Sequence, residues 1–318
     1  GDWSAVQKDE NVITVLEGLK MVSPNTHFEF VDQGWDPRNM SPEKVNEAAE
    51  KAKSADLNIV VAGEYMMRFR WTERTGGEDT DRSDIDLVGL QNELIEKVAA
   101  SGKPTILILI TGRPLGVEKA VGKVNALVQA WEPGMYGGEA IAEILYGKIN
   151  PSAKLPITIP RSVGQIQMIY NHKPSQYFHP YVVTSSEPLY PFGYGLSYTN
   201  YKYDNLQLSD KEISKGENLE VSVDVTNTGK MDGTEIVQLY LRDKFSSVTR
   251  PVKELKDFSR VTLKAGETKT VHFTISPDKL TFLDKNLKPV IESGEFIVMV
   301  GSSSQDKDLL KQSFYVKE

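Results

Sequence analysis

Three short apolar runs constrain the first half of this chain more than anything else in it. They are Leu57-Asn58-Ile59-Val60-Val61-Ala62, Thr105 to Ile110 (TILILI) and Ala126 to Trp131 (ALVQAW). Each is strand-length and mainly apolar, as buried strands of a parallel sheet are. The segments between them repeat at helical spacing. Val45, Ala48, Ala49 and Ala52 precede the first run, behind Ser41 as N-cap and Pro42 as first helical residue. Leu87, Leu90, Leu94, Ile95, Val98 and Ala99 follow it. A short helical stretch leads into the third run, and Gly137-Gly138 then open a helix through Ile141, Ile144 and Leu145. Near the start, Val12, Val15, Leu16 and Leu19 share a helical face, and His27 to Val31 alternates as a strand would. This alternation of strand and helix predicts a doubly wound, mostly parallel α/β sandwich with helices on both faces.

From Tyr201 the period becomes two. Leu219 to Val225 alternates cleanly into the turn Asn227-Thr228-Gly229, and Ile236 to Leu241, Glu295 to Val300 and Ser313 to Val316 are further strands. Val261 to Leu263, the turn Lys264-Ala265-Gly266-Glu267 and Lys269 to Ile275 predict a hairpin. Short strands at this spacing imply an antiparallel β-sandwich. Residues 161–200 are rich in Tyr, Pro, His, Gly and Ser without a sustained period, and their large aromatics favour an ordered wrap. The expected organisation is therefore an α/β domain over 1–160, a connecting wrap over 161–200 and a β-sandwich over 201–318.

Several function classes are disfavoured. A net charge of −7 argues against nucleic-acid or anionic-membrane partners, which select a basic face. The longest apolar runs fall far short of the ~20 residues of a membrane helix. There is no cysteine, hence no disulfide framework and no thiolate metal site. Gly76-Gly77 fits neither phosphate-cradling spacing, Gly195-Leu196-Ser197 lacks the second half of a nucleophile elbow, and no HExxH occurs. Of the histidines, only His172 and His179 are near in sequence, and no acids at ligand spacing surround them. No cofactor and no metal are expected.

What remains is carboxylate chemistry, concentrated between Gly63 and Asp86. Loops beyond about 12–15 residues in a compact domain are usually functional or disordered. This one leaves the C-terminal end of a predicted strand, the edge where open α/β sheets bind ligands. It carries Glu64, Glu73, Glu78, Asp79, Asp81, Asp84 and Asp86, the arginines 68, 70, 74 and 82, and the aromatics Tyr65, Phe69 and Trp71. Acids, forked donors and flat rings suit a sugar-processing site. Glycoside hydrolysis normally uses two carboxyls, one protonating the departing oxygen and one attacking the anomeric carbon or activating water. Glu78 follows Gly76-Gly77, which lets the backbone approach a ligand, and has Asp79 and Asp81 beside it.

These residues, in this order, resemble the C-terminal portion of family 3 glycoside hydrolases, the β-glucosidase-like exo-enzymes. The matching pieces are Gly63-Glu64, the Gly-Glu-x-x-Asp-Arg run from Gly77 to Arg82, Gly112-Arg113-Pro114, Trp131 with Gly137-Gly138, and Asn150 to Pro156. Tyr190 to Tyr198, Asn227-Thr228-Gly229 and Arg250 to Leu255 continue the series. The resemblance covers almost the whole chain. It implies an α/β sandwich followed by a fibronectin type III-like domain, and a retaining mechanism with the general acid/base at Glu78. Glu73 is the rival position, since some relatives place the acid in an earlier Thr-Glu. Arg82 is expected to orient Glu78 or to pair with Asp79 or Asp84. Tyr65, Phe69 and Trp71 are candidates for an aglycone-side stacking surface, and equally for packing the loop against a neighbouring domain. Arg113 is read as structural.

In this family the nucleophilic aspartate lies on an N-terminal barrel domain, and no barrel precedes Gly1. The chain is therefore read as a portion of an enzyme, inactive alone, whose partners are a glycoside or oligosaccharide and the barrel. A periplasmic or secreted setting is expected over a cytoplasmic one. Two other readings compete: a non-catalytic carbohydrate-binding or scaffolding module, and an unrelated α/β hydrolase using Glu73 with Glu78.

Overall fold

A computed structural model describes residues 7–66, 72–175 and 181–318. The chain sorts into two compact units, residues 1–149 with 159–166, and residues 150–158 with 167–318. Residues 150–158, assigned from sequence to the first domain, thus pack with the second.

The first unit is built on a parallel sheet in the order β1-β2-β3, with β1 Asn58–Gly63, β2 Thr105–Ile110 and β3 Ala126–Trp131. Asn58 lies opposite Thr105 and Gly63 opposite Ile110, so β1 and β2 end together. Leu107, Ile108 and Leu109 of the central strand are fully buried, which is why that run carries no polar alternation. β3 is less covered than an inner strand: it is an edge of this sheet, only partly buried, with Ala126 exposed. Four helices accompany the sheet: α1 Val15–Val22, α2 Pro42–Ala52, α3 Gln91–Ala99 and α4 Gly137–Leu145.

α1 packs on α4 and α2 on α3. The first pair meets backbone to backbone, which explains its glycines. A Cβ on Gly18 would stand 2.2 Å from the Gly138 carbonyl oxygen, and one on Gly138 would stand 2.1 Å from that of Thr14. Thr14 begins α1 with a capping box: the Glu17 N–H donates to Thr14 Oγ1, and Glu17 Oε2 accepts from the Thr14 N–H. α1 therefore starts after Val12. Ser41 and Pro42 open α2 as expected from their types.

Two expectations fail here. His27 to Val31 alternates but pairs with no strand among the described residues, and Phe30 is largely exposed. Alternation defines a strand only where a neighbouring edge takes its hydrogen bonds. The stretch before β3 is a series of turns rather than a helix.

The second unit has a five-stranded sheet, β5-β13-β12-β7-β8, and a three-stranded sheet, β4-β6-β9. The strands are β4 Tyr201–Leu208, β5 Glu212–Ser214, β6 Leu219–Asn227, β7 Gly233–Asp243, β8 Glu254–Leu263, β9 Thr268–Ile275, β12 Gly294–Gly301 and β13 Leu309–Lys317. A minor ribbon, β10 Phe282–Leu283 with β11 Pro289–Val290, and the short α5 Pro277–Leu280 lie between β9 and β12. The inward residues Val221, Val223 and Val225 of β6 meet Val237, Leu239 and Leu241 of β7 and Phe296, Val298 and Val300 of β12 in one buried cluster. This is a fibronectin type III-like sandwich.

The hairpin expected at Lys264–Glu267 is an arch. β8 pairs with β7 in one sheet and β9 with β6 in the other. The tight turn is real, the Glu267 N–H bonding the Lys264 carbonyl. The flanking strands nevertheless part to opposite sheets, because each already has its own antiparallel neighbour. Residues 150–158 join this unit through Leu155, whose N–H bonds the Tyr194 carbonyl and whose carbonyl accepts from Gly193. Lys154 Nζ adds a pair 3.1 Å from buried Glu235, which also accepts from Tyr203. Burial pushes the Glu235 carboxyl up, against the pull of Lys154.

Candidate active site

The C-terminal ends of the three parallel strands bring Glu64, Thr111 with Arg113, and Trp131 to one edge of the first unit. Gly63 is fixed from both sides by the buried Gln91 at the start of α3, which accepts from its N–H and donates to its carbonyl. The chain then turns Glu64 inward. Its carboxylate is 1% exposed and takes Arg113 Nε at 3.0 Å, Arg82 at 3.3 Å and the Thr111 hydroxyl at 2.7 Å. Two guanidiniums and a hydroxyl are what a buried carboxylate requires, since an unpaired charge there costs several kcal/mol.

The far sides of the same arginines hold the loop. Arg113 donates to the Thr80 carbonyl at 3.1 Å, and Arg82 donates to that of Asp86. Arg74, itself buried, donates to the carbonyl of Glu78 at 2.5 Å. Thr75 ties the start of the loop, exchanging bonds with Tyr65: its N–H donates to the Tyr65 carbonyl and its hydroxyl accepts the Tyr65 N–H. Gly76 lies against the Glu64 carboxylate, where a Cβ would come within 2.8 Å of it. Glu64 is thus the hub around which residues 74–86 are wound.

Glu78 is exposed at the turn of that loop. Both neighbours are left-handed, Gly77 at φ 95° and Asp79 at φ 56°. Glycine takes that conformation freely and aspartate tolerates it; such backbone is concentrated at functional sites. Trp131, at the end of β3, also has positive φ, 55°.

The remaining candidates fall as follows. Arg82 pairs with Glu64, not with Asp79 or Asp84; sequence distance favoured the nearer acids, while the fold carries Glu64 underneath it. Glu73 is half-buried, and its carbonyl accepts from Arg38 at 2.8 Å. Tyr65 is half-buried with its ring against Trp35, centroids 5.2 Å apart. Phe69 and Trp71 lie outside the described residues, as does His179. His172 Nδ1 is 2.9 Å from the Lys173 carbonyl, and among the described residues no cluster of three or more His, Asp or Glu could hold a metal ion.

The central position of Glu64 is not marked by its residue type. Glu64 was one acid among seven, and only its position one residue past β1 marked it. Trp35, whose ring meets Tyr65, lies in Gly34-Trp35-Asp36-Pro37, a run of turn residues. Arg38 and Asp36 brace this segment: the guanidinium holds the Asp36 carboxyl below the usual range, and the carboxylate raises Arg38 in return.

With this geometry in view, comparison with known proteins is direct. Residues 1–198 match the family described as glycosyl hydrolase family 3 C-terminal domain, and residues 235–304 match the fibronectin type III-like domain. A beta-xylosidase of Formosa agariphila is 40% identical over 96% of this chain and 42% of its own length. A periplasmic beta-glucosidase of Salmonella typhimurium is 41% identical over 96% of this chain and 43% of its own. The crystal structure of a beta-glucosidase from Listeria innocua in complex with isofagomine superposes with a TM-score of 0.89 at 34% identity, covering 99% of this chain and 44% of that one. The chain therefore spans less than half the length of each of these relatives. Among the described residues no helix is long and apolar enough to cross a membrane.

Proposed function

The chain belongs to glycosyl hydrolase family 3, and from that premise we propose that it is the acid/base-bearing part of an exo-acting, retaining β-glycosidase. Glu78 is the proton donor in this reading. The nucleophilic carboxylate comes from a barrel domain, as the resemblance implies, and the substrates are β-glucosides or β-xylosides, as the relatives' names suggest. A periplasmic or secreted setting fits the same relatives.

One observation carries the assignment. The loop around Glu78 is braced at the Thr75 N–H and at the carbonyls of Glu78, Thr80 and Asp86, and Glu78 itself is exposed on a left-handed turn at the ligand-binding edge of the sheet. An exposed carboxyl on braced backbone suits a half-site that a sugar and a second carboxylate approach from solvent. In the first step that second carboxylate attacks the anomeric carbon, and the glycosidic bond breaks as Glu78 gives its proton to the departing oxygen. In the second step Glu78 takes a proton from water, whose oxygen replaces the enzyme's at the anomeric carbon. Arg82, Arg113 and Glu64 hold the donor in position, and Glu73 is the less favoured donor.

The test compares the full-length protein with these 318 residues on aryl β-glucoside and β-xyloside. Turnover by the full-length protein and none by the shorter chain is expected. Efficient hydrolysis by the shorter chain would mean that it holds both carboxyls.

A further inference from the structure

We propose that Arg161 is a positioning residue for the proton donor, fixing the loop after β2 on which both the Glu64 hub and the C-terminal end of the donor loop rest. The proposal deepens the reading of Glu78 and rests on it.

After residue 149 the chain returns to the first unit only for residues 159–166. Those eight residues add no strand to the parallel sheet and no α-helix to its faces, only a 3₁₀ turn at Val163–Gln165. Their contribution to the core is small: Ile159 and Pro160 are buried, but Val163 and Ile166 are exposed. They are held in shape all the same, the Arg161 N–H donating to Oε1 of buried Gln165 at 2.7 Å.

What this excursion grips is the loop after β2. The Arg161 guanidinium donates to Glu118 Oε1 at 2.8 Å, both residues being partly buried. The Arg161 carbonyl closes on buried Gly116. A Cβ on Gly116 would stand 3.1 Å from that oxygen, 3.2 Å from Ile85 Cγ1 and 3.3 Å from Asp86 Oδ1. Gly116 is not in the left-handed region, so glycine serves there by leaving space, not by its backbone freedom. Three segments meet at this one residue: the excursion, the loop after β2 and the end of the donor loop.

From the junction, support reaches Glu78 by two routes. The Gly116 N–H donates to the Ile85 carbonyl at 2.9 Å, and Lys119 Nζ donates to Asp86 Oδ2, so residues 116–119 hold the end of the donor loop. Earlier in the same loop, Thr111 and Arg113 bond Glu64, and Arg113 also donates to the Thr80 carbonyl, two residues past Glu78. Residues 111–119 belong to no helix or strand and owe their place to such contacts. A partly exposed ion pair adds little to folding. Its effect here is on geometry, where a misplacement of about 1 Å far from the chemistry can slow a reaction by large factors.

The experiment uses the full-length protein in single-turnover glycosylation, with methyl β-glucoside and an activated aryl β-glucoside as probes. Arg161→Ala should slow the methyl glucoside roughly tenfold at saturation and the aryl glucoside far less, with little change in the concentration needed to saturate. Arg161→Lys, which keeps a cation for Glu118, should recover most of the loss. In the Glu78→Gln background Arg161→Ala should add no further slowing, because it acts through the donor it positions. Equal slowing of both glucosides by Arg161→Ala, or its full effect persisting without Glu78, overturns the proposal. Amide exchange reads the placement without turnover. In Arg161→Ala the Gly116 N–H should exchange faster while the amides of α3 keep their rates; unchanged exchange at Gly116, or a general loosening that includes α3, refutes the role. Glu78→Gln slowing both glucosides equally would remove the proton-donor reading while leaving the exchange comparison to judge Arg161 separately.

Discussion

Gly76→Ala tests the Glu64 hub from the side of the loop. The new methyl would stand 2.8 Å from Glu64 Cδ and Oε2 and 3.0 Å from Oε1. An ordinary surface carboxylate would swing away, but this one is held by Arg113 at 3.0 Å, Arg82 at 3.3 Å and Thr111 at 2.7 Å. Overpacking of this kind costs about 1–3 kcal/mol. Against it stands a gain of about 0.4–1 kcal/mol from stiffening the unfolded chain, since Gly76 is not in the left-handed region. The net expectation is destabilisation by about 1–2 kcal/mol. Tryptophan fluorescence in urea reads this cleanly, because Trp3, Trp35, Trp71 and Trp131 all precede residue 150 and report on the first unit alone. Glu64→Asp supplies the control. Shortening the side chain by one methylene withdraws the carboxylate by about 1.5 Å, and in that background Gly76→Ala should be neutral or stabilising. A coupling energy of roughly 0.5–3 kcal/mol is expected for such touching groups. Equal cost of Gly76→Ala in both backgrounds would show that the methyl and the carboxylate do not compete for space.

Three further expectations follow from the same contacts. Glu64→Gln leaves two guanidiniums against a neutral amide and should cost about 3–5 kcal/mol by the same fluorescence assay. Asp36 has its carboxyl held below 3.8 by the Arg38 hydrogen bonds, so its contribution is present above that pH and is lost as pH falls through the lowered folded value. Asp36→Asn should therefore be less stable at pH 7 by about 1.5–3 kcal/mol, with the difference closing in acid; a gap that persists below both values would contradict the ion-pair account. In the second unit, buried Asn227 donates Nδ2 to the carbonyls of Met231 and Leu263, at 2.8 and 3.2 Å, and accepts from Thr199 and Gly229. Asn227→Asp turns those donors into an acceptor facing two carbonyls and should cost about 3 kcal/mol, seen as faster amide exchange in β6 and β8.

Much of the fold could be read from residue order, because its signals are local. The TILILI run, the Ser41-Pro42 start and the alternation of Leu219 to Val225 each report their own conformation. Errors arose where a decision needed a partner far away in sequence. Lys264–Glu267 has the chemistry of a hairpin turn, but the outcome is settled by β7 and β6, whose residues pair with those of β8 and β9 across 13 to 30 and 42 to 56 positions. His27 to Val31 has the pattern of a strand and finds no edge. The site divides the same way. Glu78, the proposed donor, is singled out by the glycines before it and the Asp-Arg after it. The Glu64 hub was not, since Thr111 and Arg113 reach it from nearly fifty residues away, and Arg82 was offered closer acids. The Trp35–Tyr65 ring contact was hidden for the same reason, since thirty positions separate the two.

Leaving-group dependence of Glu78→Gln in the full-length protein weighs most directly on the account. A side chain whose task is to hand a proton to the departing oxygen matters most when that oxygen is a poor leaving group. The account predicts that Glu78→Gln slows glycosylation far more for alkyl glycosides and disaccharides than for activated aryl glycosides in single-turnover measurements. Glu73→Gln should show no such split. Equal slowing on both substrate classes, or the split appearing at Glu73, would contradict it.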